Sequence, residues 1–319
     1  MAVKRTGQPS FAEALLPQGF GSNEALDRLG GLVKWYRFEK LLSHLRDDTS
    51  PGRPGYPVMV LFRALLLQSL YGLSDRELEA ALIDRLSFKR FSGLSLEDAA
   101  PDHTVLNRFR NRLIEEGLLE SLFAELNRQL EKAGLILKRG TMLDATLIEA
   151  ISARPTDSKP SPDPDAAFAK RQNKSGSSFG YKAHVGVDEG SGLVRCVITT
   201  PANTNDTVVA DALIRFDEKA VLADKAYAKA ERRAMLREHG IADGIMHKSW
   251  GGGPALTRWQ KRFNRRIARR RGAVETTFAT WKCRMKLTRI RYVGLTKAKA
   301  QILLVAIAFN MRRWTAIAA

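Results

Sequence analysis

The sequence predicts an α/β protein with an all-helical segment over residues 1–135 and a mixed α/β domain over 136–319. Three observations carry this reading. From Val58 to Gly134, apolar residues recur at helical spacing, with cap signals between the runs. After residue 135 the pattern changes to short apolar runs of strand length, two of them joined by Glu189-Gly-Ser-Gly192, a hairpin signal. From there the order is strand, hairpin, helix, strand, helix, which a mixed sheet accommodates.

Taken in order, residues 1–50 are weakly patterned, with Leu41, Leu42 and Leu45 at helical spacing. Pro51-Gly-Arg-Pro-Gly-Tyr-Pro57 breaks the chain. Val58–Leu70 is apolar on most sides and predicts a buried helix. Ser74-Asp-Arg-Glu77 is a capping box that opens a helix over Ser74–Ile83. Leu86–Phe91 is a short helix. Asp102 or Thr104 caps a helix running to about Glu116, and Leu118–Gly134 is another, stopped by its glycine. Lys138–Thr146 reads as a strand. Ala153–Ser178, rich in Pro, Ser and Lys, reads as a flexible insertion. Tyr181–Asp188 and Leu193–Thr199 are the hairpin strands. Asp206–Phe216 is a helix, Lys219–Ala223 a central strand, and Tyr227–Glu238 a helix that stops at Gly240. A basic helical segment spans 257–284, and Lys297–Trp314 is a closing helix.

With 52 Lys+Arg against 34 Asp+Glu and a net charge of +18 over 319 residues, the chain points to nucleic acid first and an anionic membrane second. Basic structural binders share this balance. At 44% hydrophobic residues the chain builds a core, so a disordered basic tail is excluded. Cys196 and Cys283 belong to no CxxC or Cys/His cluster, which argues against a disulfide framework or structural zinc. A reducing cytoplasm is the simplest compartment. No signal peptide is expected, because Met1–Ser10 lacks an apolar core. The apolar runs Val58–Leu70 and Ala300–Phe309 read as buried helices, so no membrane is expected as a partner.

Three acids stand in unusual contexts. Asp144 follows Thr141-Met-Leu, and Asp224 follows Val221-Leu-Ala. Glu275 comes just after an acid-free basic stretch. A carboxylate at a buried strand end is usually a helix cap, an ion-pair partner or a ligand. Capping suits Asp224, while Asp144 has no evident capping role. At about 100° per residue, Glu275 lies roughly 40° from Arg271 and Lys282 roughly 20° from it, so arginine, glutamate and lysine share one face. An ordinary i,i+4 ion pair also accounts for Arg271 and Glu275. Grouped together, three hard carboxylates suit Mg²⁺, with Mn²⁺ as a substitute. Two such ions would flank a scissile phosphate.

These residues resemble those of the DDE transposases of bacterial insertion sequences, nearest to the group named after insertion sequence five. Tyr71-Gly-Leu-Ser-Asp-Arg-Glu-Leu and Pro101-Asp-His-Thr-Val-Leu-Asn-Arg-Phe-Arg resemble that group's helical N-terminal domain. Phe179-Gly-Tyr-Lys-Ala-His-Val-Gly-Val-Asp188 and Thr200-Pro-Ala-Asn-Thr-Asn-Asp206 resemble its strand segments. Ala223-Asp-Lys-Ala-Tyr227 resembles its second catalytic motif. The family's Tyr-x2-Arg-x3-Glu-x6-Lys signature matches at Arg271, Glu275 and Lys282 and departs at Ala268, which stands where the tyrosine would. The resemblance implies an RNase-H-like catalytic core with Asp144, Asp224 and Glu275 as a catalytic, metal-binding triad. It also implies metal-dependent 3′ strand cleavage and strand transfer. The expected partners are the terminal inverted repeats and target DNA, with a homodimer or larger synaptic complex at the nucleoid of a bacterial cytoplasm. A nuclease without strand transfer, or a non-catalytic DNA-binding derivative, is the alternative.

Expected DNA contacts begin with the basic helix. Arg258, Lys261, Arg262, Arg265, Arg266, Arg269, Arg270 and Arg271 have no compensating acid between Ile245 and Val274. Trp250 and Trp259 flank a Gly-Gly-Gly-Pro loop and are candidates for base stacking, with buried structural tryptophans as the alternative. Lys182, Lys225 and Lys282 are candidate phosphate contacts. His184 and His247 are candidates for the site's edge, His184 more simply as a satisfied strand histidine. Ser74–Ile83 and Asp102–Arg112 suggest a helix-turn-helix-like reader that turns Asn107, Arg108, Arg110 and Arg112 toward DNA. A packing bundle is the alternative.

Overall fold

The computed structural model describes residues 4–8, 11–17, 19–45, 55–170, 176–249 and 254–318. It divides into two compact units, 1–129 with 303–319, and 130–302. The end of the closing helix, where Leu303–Met311 is buried on every side, groups with the N-terminal helices.

The first unit begins with α1 (Phe11–Ala14), α2 (Glu24–Leu32) and α3 (Trp35–Leu42). Then come α4 (Val58–Tyr71), α5 (Asp75–Asp84), α6 (Leu86–Ser92), α7 (His103–Glu115) and α8 (Leu118–Lys132). α4 is the central helix, with buried residues from Val58 to Ser69, and α3, α5, α6 and α7 surround it. It stops at Gly72, whose φ of 64° suits a residue without a side chain. The capping box at Ser74 and the Asp102 cap both form as the sequence predicts. α6 lies between α5 and α7, so these two are not joined by the short turn of a helix-turn-helix.

The second unit is built on a six-stranded sheet. Its strands are β1 (Thr141–Glu149), β2 (Ala167–Lys170), β3 (Ser177–Asp188), β4 (Val194–Pro201), β5 (Ala220–Ala223) and β6 (Ala242–Ile245). β3 runs antiparallel to β1 on one side. On its other side Ser177–Gly180 pairs with β2 and Tyr181–Val187 with β4, both antiparallel. β5 is parallel to β1, and β6 is parallel to β5. This is a mixed sheet, with parallel and antiparallel neighbours on either side of β1, as the sequence predicts. α9 (Asp206–Val209), α10 (Ala230–Glu238), α11 (Arg258–Ala279) and α12 (Leu295–Ile317) complete the elements. A core of Leu143, Val221, Ala223 and Ile245 packs with Leu213, Ile214, Tyr227 and Leu236. α11 packs against β1 and β5 through its buried face, which carries Ile267, Val274 and Thr277.

Several elements differ from the sequence reading. The expected flexible insertion contains β2, where Phe168 meets the Phe179 ring at 5.0 Å, and a buried Asp163 that accepts from the Tyr181 hydroxyl at 2.7 Å. Residues 171–175 of that insertion lie outside the described residues. The helix expected over Asp206–Phe216 is one turn of α9 and a 3-10 turn at Asp211–Leu213, ended by Phe216 in a left-handed conformation at φ 61°. β6 is too short, and carries too much Asp and Gly, to signal a strand. Among the described residues no single helix is long and apolar enough to cross a membrane.

Candidate active site

Sheet register builds the site. β1 and β5 pair in parallel with Met142 opposite Leu222 and Leu143 opposite Ala223. The next residues are Asp144 and Asp224, so the two aspartates occupy equivalent positions on strands about 4.8 Å apart. The strands then part. β5 ends at Ala223, and Asp224 caps a 3-10 turn over Lys225–Tyr227, accepting from the Ala226 N–H at 3.1 Å. β1 continues to Glu149, so Asp144 lies within its strand and not at the end of it. Beyond Asp144 that edge of β1 has lost its β5 neighbour until Glu149, which bonds to the 288–290 segment through Thr288 O and Ile290 N. The gap in the sheet is the cleft.

This cleft has a volume of about 650 Å³. Asp144, Asp206 and Asp224 line it together with Lys170, Lys182 and Lys282, and with Ser178, Tyr227 and Thr288. Gly180 sits opposite Glu149 at the end of β1, where a Cβ would overlap the Ile148 carbonyl. Arg271 reaches Asp144 from α11, Nη2 to Oδ2 at 3.1 Å. Burial pushes the Asp144 carboxyl above its ordinary range, more than Arg271 and the Ala145 N–H hold it down. Asp224 and Asp206 push the same way. Asp206 is held by Lys182 Nζ at 2.9 Å and stands 3.7 Å from His184 Nδ1. His184 is fully buried and shares a 2.9 Å hydrogen bond with Thr200 Oγ1. Its burial lowers the imidazole to about 4, only partly opposed by Asp206, so the ring is neutral near pH 7.

The structure thus brings Asp144, Asp224, Lys182, Lys282 and Arg271 to one place and leaves other candidates elsewhere. Glu275 lies on α11 one turn beyond Arg271, with its side chain exposed and outside the cleft lining. Lys282 reaches the cleft from a π turn, Thr280–Arg284, so the ideal helical column through Arg271, Glu275 and Lys282 ends at Ala279. Lys225 is exposed on the turn after Asp224. Arg258, Lys261, Arg262, Arg265, Arg266 and Arg269 are all exposed along α11. Arg270 is exposed too, and both its bonds go to Glu189, at 2.5 and 2.6 Å. Trp259 is 64% exposed and stacks on Phe263, with His247 against both rings. Trp250 and its glycine loop lie outside the described residues.

One assignment is corrected. Arg110 is 1% exposed, and its guanidinium bonds to Asp75, Gln68 and Asn107, tying α7 to α4 and α5. It is unavailable to a phosphate. Arg108 on the same helix is exposed. The sequence reading also missed Asp206, Lys170 and the cleft role of Tyr227. Asp206 and Tyr227 each end a segment singled out for its resemblance, which was the available signal.

The donor set favours a hard divalent ion. Two carboxylates stand in register, and a cation beside them would relieve the buried charge of Asp144. Among the described residues no group of three His, Cys, Asp or Glu is arranged to hold a metal.

A solved piggyBac transposase synaptic complex with hairpin DNA is similar at a TM-score of 0.48 and 10% identity, over 97% of this chain and 76% of that chain. The family model described as Transposase domain (DUF772) matches residues 14–112. The model described as Transposase DDE domain matches residues 136–311, more than half of the length, and the chain belongs to the DDE transposases of insertion-sequence type.

Proposed function

We propose that this transposase binds the ends of its own element, hydrolyses the 3′ strands there, and joins the 3′-hydroxyls to target DNA at one site. The observation that carries this is the in-register pair Asp144 and Asp224 in a cleft that also holds lysines and lies beside Arg271. Asp144 and Asp224 would hold Mg²⁺ or Mn²⁺, two ions when the site is full. Glu275 is the third carboxylate on its placement one turn beyond Arg271. A divalent ion held there supplies Lewis acidity toward the phosphate and offsets the carboxylate charge.

The protein's own groups bind and orient. Lys182, Lys282 and Arg271 offer cationic donors to phosphate oxygens around the carboxylates. Lys182 is preset by Asp206 and the Thr204 carbonyl, its Nζ 2.8 Å from that oxygen. The exposed basic side chains of α11 supply a sequence-independent grip on the duplex. Trp259 offers a stacking surface at the start of that helix, and Lys225 and Arg108 are further phosphate contacts. Two element ends must react together, so a homodimer or larger synaptic assembly is part of the proposal. It acts on nucleoid DNA in a bacterial cytoplasm.

A strand-transfer assay with pre-cleaved ends and a target plasmid tests this reading. Joined product in Mg²⁺ or Mn²⁺ is the expected result. Cleavage of uncut ends with no joining would assign a nuclease instead, and end binding without any cutting would assign a non-catalytic binder.

A further inference from the structure

We propose that the Tyr227 hydroxyl is a further catalytic group, donating a hydrogen bond to a non-bridging oxygen of the scissile phosphate. This rests on the reading of the cleft as the phosphoryl-transfer site. The ring is part of the core with Leu143, Leu213, Val221 and Leu236, and the residue is 2% exposed. The backbone is equally fixed. The Tyr227 N–H donates to the Asp224 carbonyl at 3.0 Å, and buried Arg232 donates to the Tyr227 carbonyl while its other nitrogens hold Asp211 and the Thr207 carbonyl. Ring and backbone therefore leave the hydroxyl little freedom to search for an acceptor.

Yet the hydroxyl oxygen is buried with no protein hydrogen-bond partner, in a residue that lines the cleft beside Asp144 and Asp224. A buried hydroxyl without a partner is costly, and native proteins keep few of them. An acceptor from outside the chain accounts for its retention. Burial pushes the phenol upward, and Asp206, Asp144 and Asp224 push it further, so it keeps its proton and donates. It is not a general base. In a cleft that receives a DNA backbone, the acceptor brought to it is a phosphate oxygen.

The test is Tyr227→Phe in the full chain, beside Asp144→Asn, with end DNA carrying an Rp or Sp phosphorothioate at the scissile phosphate. End binding and melting temperature should match wild type, because the lost hydroxyl bonds nothing in the protein. Single-turnover cleavage should fall about 10- to 100-fold, the loss of one hydrogen bond to a charged group. Wild type should discriminate between the two diastereomers, and the Phe variant should lose the part of that discrimination that comes from the oxygen facing Tyr227, so its rate falls unequally on the two. A wild-type cleavage rate, equal losses on both diastereomers, or a lowered melting temperature would each overturn the assignment. If Asp144→Asn still cleaves, the reading of the cleft fails and this assignment falls with it. If Asp144→Asn is dead and Tyr227→Phe is normal, only the tyrosine assignment fails.

Discussion

The outer face of α11 makes a quantitative prediction about DNA binding. At about 100° per residue, Arg258, Lys261, Arg262, Arg265, Arg266 and Arg269 fall within an arc of roughly 140°. Ile267 and Val274 lie on the opposite side and are buried. The sequence alone spread the charges around most of the helix, and burial resolves them into one stripe. Replacing Arg262, Arg265 and Arg269 with alanine removes the middle of that stripe. All three are exposed, and alanine is the best helix former, so the helix should persist. Each phosphate neutralised contributes about −0.9 to the slope of log affinity against log salt, so three lost contacts flatten it by about 2.7. Between about 50 and 200 mM salt, wild type should then lose about 40-fold more affinity than the variant. Fluorescence anisotropy with a labelled duplex measures both slopes, and thermal unfolding checks the fold. An unchanged slope in a folded variant would show that this stripe is not the phosphate footprint.

Two other outcomes follow from buried groups. Arg110→Met leaves Asp75 without its main partner, and breaking a buried pair costs about 3–5 kcal/mol. Asp75 keeps a side-chain exposure of 25%, so the expected loss in urea unfolding is near the lower end, about 3 kcal/mol, while Arg108→Ala should leave stability unchanged. Stability of Arg110→Met equal to wild type, with weakened DNA binding, would return Arg110 to the DNA interface. His184 has a folded-state value of about 4 against an ordinary 6.5, so the unfolded chain binds its proton more readily. The stability it contributes is complete above pH 6.5 and is lost as pH falls toward about 4. NMR titration of the ring should place its midpoint well below the ordinary 6.5, at about 4, and a midpoint near 6.5 would contradict its burial.

Much of this site was legible because chemistry and hydrophobic pattern coincide there. Met142-Leu143 and Leu222-Ala223 mark two buried strands, and an acid directly after each is conspicuous. The parallel register that sets Asp144 beside Asp224 is a property of the sheet, so it needed the fold. The length of β1 misled for the same reason. The strand runs on to Glu149, beyond its expected end at Thr146, and only the early end of β5 opens the cleft. Asp206 and Tyr227 reach the cleft by way of a loop and a turn, with no periodicity to announce them. Arg110 was readable in principle. It follows Leu106 by four residues and precedes Leu113 by three, on the buried face of α7. Its charge argued for solvent until Asp75 and Gln68 were found across from it. Glu275 keeps its place in the proposed triad through its motif and its helix, beside the face that reaches Asp144.

The most direct test of the central claim replaces Asp144 with Asn, Asp224 with Asn and Glu275 with Gln, one at a time. Each variant is assayed for end binding, and for cleavage and joining in Mn²⁺. The account predicts that all three bind element ends as wild type does and that none cleaves or joins. Full cleavage and joining by Asp144→Asn or Asp224→Asn would contradict it, because the two carboxylates that the parallel register sets side by side would then have no part in the chemistry.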